Sequence, residues 1–226
     1  MTKELMVGTT GWDHNDWVVD YYPDDLPDDW RFAYYSNDHR SVLVPADHFQ
    51  TYDEDALSEL LEDCDESFRF VVEIPETCLE DTGTELLQAF LNGISSLYSR
   101  LGGFYLPLGE ATSQGVARLP AKVKLLQEHG PLCIDFEHES GASEQLIRLM
   151  ADNNIGLCWH PECDDEPTTG GALMLVLSDE ETPRAHRHII EALEEWMQQS
   201  YGLTGLFLKT SAAASQARII AEMLGV

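Results

Sequence analysis

The chain has 226 residues, and its 41 aspartates and glutamates against 13 lysines and arginines give a formal net charge of −28. So negative a surface repels phosphate backbones and anionic lipids, so nucleic acid and membranes are not expected partners. No apolar run approaches the ~18 residues that indicate a membrane-spanning helix. The first residues, Met1–Leu5, also lack the apolar core of a signal peptide.

The five cysteines are odd in number and scattered, at Cys64, Cys78, Cys133, Cys158 and Cys163. This distribution favours reduced thiols in a cytoplasmic protein over a disulfide framework. The acidic residues are spread over many segments, which is typical of solvated faces, for example in a salty cytoplasm where ions screen the self-repulsion. A surface that binds cations or a basic partner is the second interpretation of the same charge.

Short apolar runs alternate with amphipathic stretches along the whole chain. The runs predict eight strands, at Leu5–Gly8, Ser41–Pro45, Phe68–Ile74, Gly102–Leu108, Leu132–Phe136, Ile155–Trp159, Ala172–Leu177 and Leu206–Lys209. Apolar spacing and capping residues predict helices over Pro27–Asn37, Asp53–Asp63, Thr82–Arg100, Ser113–His129, Ser143–Asn153, Thr182–Gln199 and Ser211–Leu224. Between the sixth and seventh strands, a long loop is predicted over His160–Gly171.

Eight strands with helices in most of the intervals are the pattern of a TIM-like (β/α)8 barrel, an α/β fold. Because no repeat, low-complexity tract or linker interrupts the pattern, residues 1–226 are predicted to form a single domain. An open, doubly wound parallel sheet is the structural alternative. Either architecture places a functional site at the carboxyl ends of the strands, where the turn Gly8–Gly11 would present Trp12.

Residues spread over nearly the whole chain carry a family resemblance. The opening Gly8-Thr9-Thr10-Gly11-Trp12 is similar to the G-T-S-G-W opening of the bacterial domain-of-unknown-function 72 family, also called YecE-like or YunF-like. Further landmarks follow in the family's order, at Tyr21–Pro23, Trp30 with Tyr34 and Tyr35, Phe68–Val72, Asp135–Ser140 and Gly205–Leu208. The resemblance implies a TIM-like barrel and implies no particular reaction.

Several polar positions of that family are replaced, so the chain resembles a divergent member. Val42–Pro45 lacks the family's acid and amide, Glu73 stands at its third-strand lysine, and Glu137 at its fifth-strand arginine. Val176 stands at its seventh-strand arginine, and Leu208–Thr210 at its eighth-strand F-N-N. An anion-handling chemistry shared by the family would therefore be lost or altered in this chain.

Strand alternation directs polar residues of the third and fifth strands into the barrel mouth. Crowded carboxylates beside a histidine can act as general acid and base or hold a divalent metal. We therefore predict as catalytic residues Glu73, Asp135, Glu137 and His138. The alternative is a solvated acidic rim, or a buried ion pair with Arg69 or Lys209.

The run Cys158–Cys163, at the end of the sixth strand, contains cysteine, histidine and cysteine at a spacing that can bind zinc or another soft metal. His160 and Cys163 are the predicted metal ligands, and ordinary packing at the strand end is the alternative. Aromatic, acidic and imidazole groups at the mouth can stack on and orient a small molecule. The predicted ligand-binding residues are Trp12, Asp13, His14 and Trp159, and core packing is the alternative for the tryptophans.

Two classes of function fit these residues. The first is an enzyme that performs hydrolase-like or metal-assisted chemistry on a small molecule at the carboxyl-terminal mouth, with a divalent metal as the cofactor that the residues indicate. The second is a non-catalytic barrel that binds a small molecule or a protein and has lost the family's polar site. A carboxylate–histidine cluster within ligand distance in a concave pocket favours the enzyme, and a mouth closed by side chains favours the binding protein.

Overall fold

Eight strands form one parallel sheet in the computed structural model, which describes residues 5–50, 54–80, 82–109, 113–136, 143–163, 166–168 and 170–226. The strands are β1 (Leu5–Thr10), β2 (Ser41–Val44), β3 (Arg69–Glu73), β4 (Leu101–Pro107), β5 (Leu132–Asp135), β6 (Gly156–Leu157), β7 (Leu173–Ser178) and β8 (Leu203–Leu208). Their order across the sheet is β6-β5-β4-β3-β2-β1-β8-β7.

Helices follow most of the strands, and none is described between β6 and β7. They are α1 (Arg31–Asp38), α2 (Glu54–Glu62), α3 (Glu76–Glu80), α4 (Glu85–Gly93), α5 (Ser113–Gln127), α6 (Glu144–Asp152), α7 (Pro183–Gln199) and α8 (Ser211–Leu224). None of the helices in the described part of the chain has both the length and the apolar content that a membrane crossing needs.

A bridge between Trp159 and Val176 brings the two ends of the sheet together. The N–H of Trp159 donates to the carbonyl of Leu175 at 2.9 Å, and the N–H of Leu177 donates to the carbonyl of Trp159 at 3.2 Å. These bonds connect the short β6 to β7 and complete a nearly closed barrel with helices between its strands. The predicted TIM-like (β/α)8 fold is therefore confirmed.

The bounds of several predicted elements differ from the structure, and three of the differences have a clear local cause. The predicted helix Thr82–Arg100 is in fact α4 followed by a 3-10 helix, because Ile94 leaves helical geometry at φ −97° and ψ 10°. The five-residue α3 was too short to give a helical period in the sequence. β8 starts at Leu203, before the predicted start, since Thr204 and Gly205 interrupt the apolar run and still pair with β1 and β7.

Alternation along the strands separates two apolar layers. Phe70 and Val72 of β3 point outward into the main core beneath the helices, whereas Val71 points into the barrel. Side chains from all around the sheet fill the barrel interior: Met6, Leu43, Val71, Tyr105, Cys133, Cys158, Leu173, Leu175 and Phe207. Because these side chains pack the interior in the described part of the barrel, we expect a small-molecule site at the mouth.

The Tyr35 hydroxyl on α1 joins the first two strands of the barrel. It accepts a hydrogen bond from the N–H of Thr9 at 3.0 Å and donates to the carbonyl of Ser41 at 2.9 Å. Tyr35 and both of its partners lie among buried groups. The two strands approach so closely here that a Cβ on Gly8 would lie 2.0 Å from the Ser41 carbonyl oxygen, so only glycine fits at that position.

We expect Tyr35→Phe to destabilise the fold, because the substitution leaves the Thr9 N–H and the Ser41 carbonyl buried without this partner. An unsatisfied buried group costs about 1–3 kcal/mol. Urea unfolding followed by circular dichroism measures the loss. Tyr34→Phe on the same helix is the matched control, since Tyr34 is exposed. Equal unfolding midpoints for the two variants would contradict this role of the hydroxyl.

Candidate active site at the barrel mouth

Asp135 lies at the carboxyl end of β5, where its side chain is 17% exposed and points toward the mouth of the barrel. The hydroxyl of Tyr105, on the neighbouring β4, donates a hydrogen bond to Oδ2 of Asp135 at 2.6 Å. Nε2 of His160 lies 3.0 Å from the same oxygen. Tyr105 and His160 therefore both contact the same oxygen of the carboxylate and orient it.

Cys158, which directly follows β6, is the third member of the cluster. Its side chain points into the barrel and is almost fully buried. One ligand atom of Asp135, one of Cys158 and one of His160 all lie within 4.8 Å of one another. We call these three residues the mouth triad.

Burial controls the protonation of the groups around the triad. Desolvation raises the pKa of the Cys158 thiol well above its usual value, and Cys133 and Asp135 raise it further. Desolvation followed by the negative charge of Asp135 raises the pKa of Tyr105 in the same direction. Tyr105 consequently remains a hydrogen-bond donor at any physiological pH, and an isolated Cys158 remains an unreactive thiol.

An open pocket of about 520 Å³ adjoins the triad at His160. The ends of β1, β7 and β8 and the loop after β6 line it, with Thr10, His14, His160, Glu162, Cys163, Leu177, Ser178, Asp179, Phe207, Leu208 and Lys209. Oε1 of Glu162 is held by the Ser178 hydroxyl at 2.6 Å and by the Asp179 N–H at 2.8 Å. The pocket is thus lined by a carboxylate with a fixed orientation as well as by the imidazole of His160.

Glu73 lies in a second groove, of about 750 Å³, formed by the segments that follow β2 and β3. Burial raises the pKa of Glu73, and a hydrogen bond from the N–H of Ala46 opposes that rise. Neither candidate for an ion pair is directed toward it: Lys209 lies 3.5 Å from Asp179, and Arg69 donates to backbone carbonyls. Glu73 therefore lies in this groove as a carboxyl group that burial makes harder to ionise, and its catalytic role stays a prediction.

The structure separates the predicted ligand-binding residues. Trp12 is buried in the outer core against Phe32 and His48, and Trp159 is buried against the helices outside β7 and β8. Asp13 is half-exposed and forms an ion pair with Arg31. Of the four residues, His14 lines the pocket, with Nε2 at 2.7 Å from the Thr10 carbonyl oxygen. We therefore assign the two tryptophans to packing and retain His14.

The predicted catalytic and metal-binding residues are also divided. Asp135 and His160 meet in the triad, whereas Cys163 is exposed at the pocket rim and is not one of the clustered ligands. Glu137 and His138 lie outside the described residues. Sequence reasoning missed Tyr105, which alternation along β4 could have placed inside the barrel, and it left the direction of Cys158 undecided.

Comparisons with known proteins agree with this architecture. The family model described as a protein of unknown function, DUF72, matches residues 6–225. A DUF72 family protein from Enterococcus faecalis V583 is similar at 15% identity and a TM-score of 0.72, over 97% of this chain and 96% of that chain. One from Thermotoga maritima MSB8 is similar at 17% identity and a TM-score of 0.71, over 99% and 100%. The comparison with curated proteins finds no match.

We expect Glu73→Gln to stabilise the protein at neutral pH. Burial raises the pKa of Glu73 because it disfavours the ionised carboxylate, and the amide has no charge to bury. The native state binds the Glu73 proton more tightly than the unfolded state, so wild-type stability falls as pH rises through that raised pKa. The stability difference between variant and wild type should therefore be larger at pH 7.5 than near the ordinary glutamate pKa.

Urea unfolding at several pH values measures that difference. Glu76→Gln is the matched control, since Glu76 lines the same groove and is exposed. If both variants changed stability equally at every pH, removal of net charge alone would account for the effect.

Proposed function

The chain belongs to the DUF72 family of proteins of unknown function, and on that premise we propose that it is an enzyme that hydrolyses a small molecule at the carboxyl-terminal mouth of its barrel. The single observation that carries the proposal is the Asp135–His160 pair, 3.0 Å apart, beside an open pocket. A carboxylate–histidine cluster in a concave site favours an enzyme over a non-catalytic binding barrel. The five free cysteines support a reducing compartment, so we further propose that the enzyme is cytoplasmic.

Hydrolysis requires an activated water molecule, and the pair offers two means of producing one. As a base, the His160 imidazole would take a proton from water while Asp135 orients the ring and stabilises its positive charge. As ligands, the same two side chains would hold a divalent cation that lowers the pKa of a bound water. Both means place the reacting water next to His160, on its pocket side.

The charges of the pocket support a neutral or cationic substrate. Glu162 and Asp179 line the pocket, and Lys209 lies 3.5 Å from Asp179. The ammonium group of Lys209 is therefore already paired with a carboxylate. The formal net charge of the chain is −28. An anion such as a phosphate ester would approach against this field. Neutral or amine-bearing esters and amides meet no such penalty.

Turnover of chromogenic esters, amides and phosphate esters by the purified full chain tests this proposal. We expect hydrolysis of neutral or cationic esters or amides, with phosphate esters the poorest class. Asp135→Asn should lower kcat/KM by about 100-fold or more, the usual contribution of acid–base groups. Asp152→Asn, an exposed carboxylate on α6, is the control and should leave turnover unchanged.

Two results would contradict the enzyme. One is binding of panel compounds without turnover of any of them, which is the behaviour of the non-catalytic barrel. The other is equal turnover by wild type and Asp135→Asn, which would remove the triad from the reaction.

A further inference from the structure

We propose that the mouth triad, Asp135, Cys158 and His160, is a binding site for a soft divalent cation of the zinc class. The role of the cation rests on the proposed hydrolase: the cation would activate water by binding it, in place of His160 acting as the base. The binding site itself rests on geometry alone. One oxygen, one sulfur and one nitrogen ligand atom, from the ends of neighbouring strands, lie within 4.8 Å of one another.

The separations of these atoms suit a small cation after modest side-chain movement. In a tetrahedral zinc site, bonds of about 2.0–2.3 Å put ligand atoms roughly 3.5 Å apart. Nε2 of His160 and Oδ2 of Asp135 are 3.0 Å apart, so they would separate slightly. The sulfur of Cys158 would approach them. Side chains at 17% and 27% exposure, for Asp135 and His160, have the freedom to make this adjustment.

The identity of the three ligands selects the class of cation. A thiolate is a soft ligand that favours zinc and related transition metals, whereas magnesium and calcium prefer oxygen ligands throughout. Three protein ligands also leave a fourth position for water, which is the pattern of catalytic zinc sites. The pocket at His160 provides the space from which a water molecule and a substrate can reach that position.

Cation binding balances the charge of the buried cluster. The Cys158 thiol releases one proton to solvent as its sulfur bonds to the cation, and neutral His160 donates its nitrogen lone pair. One thiolate and the Asp135 carboxylate then oppose two positive charges, so the occupied site has no net charge. Paired charges are the form in which ionised groups are tolerated in a protein interior.

Two further side chains support the ligands. Tyr105 donates to Asp135 at 2.6 Å, and such hydrogen bonds orient ligating carboxylates in metal sites. We therefore assign Tyr105 as a positioning residue. Cys133 lies beside Cys158 in the barrel interior, within hydrogen-bonding reach of its thiol. It fills the interior below the sulfur and keeps bulk water away from it.

The test uses the full chain after treatment with a chelator, with Zn²⁺ and Co²⁺ as probes. We expect one Zn²⁺ per chain in a competition titration, no displacement by millimolar Mg²⁺, and a thiolate-to-cobalt charge-transfer absorption on adding Co²⁺. Cys158→Ser should abolish this absorption. It should also weaken Zn²⁺ binding by more than about 100-fold, because loss of a residue that merely supports a ligand already costs up to about 100-fold. Tyr105→Phe should weaken it by about 10–100-fold and keep the absorption.

Cys163→Ser is the matched control, because Cys163 is the exposed cysteine of the same loop. It should bind both probes as the wild type does. Since serine at the buried position 158 can disturb folding, His160→Gln provides a second variant at a partly exposed ligand, and circular dichroism checks that each variant is folded. His160→Gln should also weaken Zn²⁺ binding.

The outcomes separate the cation site from the hydrolase. Sub-stoichiometric Zn²⁺ in the wild type, unchanged binding in folded Cys158→Ser or His160→Gln, or a loss confined to Cys163→Ser would overturn the cation site. Zn²⁺ binding without turnover of any substrate would leave the cation site standing and reject the hydrolase. Turnover that survives chelation and the loss of Cys158 would reject the cation's role in hydrolysis and leave His160 as the base, whereas the cation site itself is decided by the binding measurements.

Discussion

The hydrogen bond from Tyr105 to Asp135 connects the packed interior of the barrel to its polar mouth. The ring of Tyr105 is part of the apolar cluster inside the barrel, and its hydroxyl reaches the carboxylate at the end of the next strand. Burial keeps the hydroxyl protonated, so the interaction has a fixed direction. The position of Asp135, and through it that of His160, thus depends on how the barrel interior is packed.

Alternation made part of this arrangement predictable from the sequence. The apolar faces of the third and fifth strands, such as Phe70 and Ile134, point outward, which predicts that Asp135 faces the other way, toward the interior residue Tyr105 that it contacts. Alternation within one strand cannot give the contact between Asp135 and His160. That contact depends on the pairing of β5 with a two-residue β6 and on the bridge at Trp159, and neither leaves a periodic signal in the sequence.

Trp12 shows a second limit of alternation, because the structure buries a side chain that was predicted to bind a ligand. Trp12 follows β1 directly, and continued alternation would place its ring near the mouth. Gly11 adopts φ +71°, a conformation that suits glycine, and it turns the chain so that the indole packs against Phe32 and His48. One residue with a positive φ therefore changes a ligand platform into a core residue. A sequence that places glycine before an aromatic residue permits both outcomes, and the packing partners decide between them.

Charge relates the triad to the rest of the molecule. A carboxylate at 17% exposure needs compensation, and Asp135 accepts a hydrogen bond from the Tyr105 phenol and lies beside the His160 imidazole. In a chain with a formal net charge of −28, the field at the mouth concentrates cations and opposes anions. A mouth with this charge suits the proposed cation at Asp135 and Cys158, and it favours neutral or cationic substrates over anions.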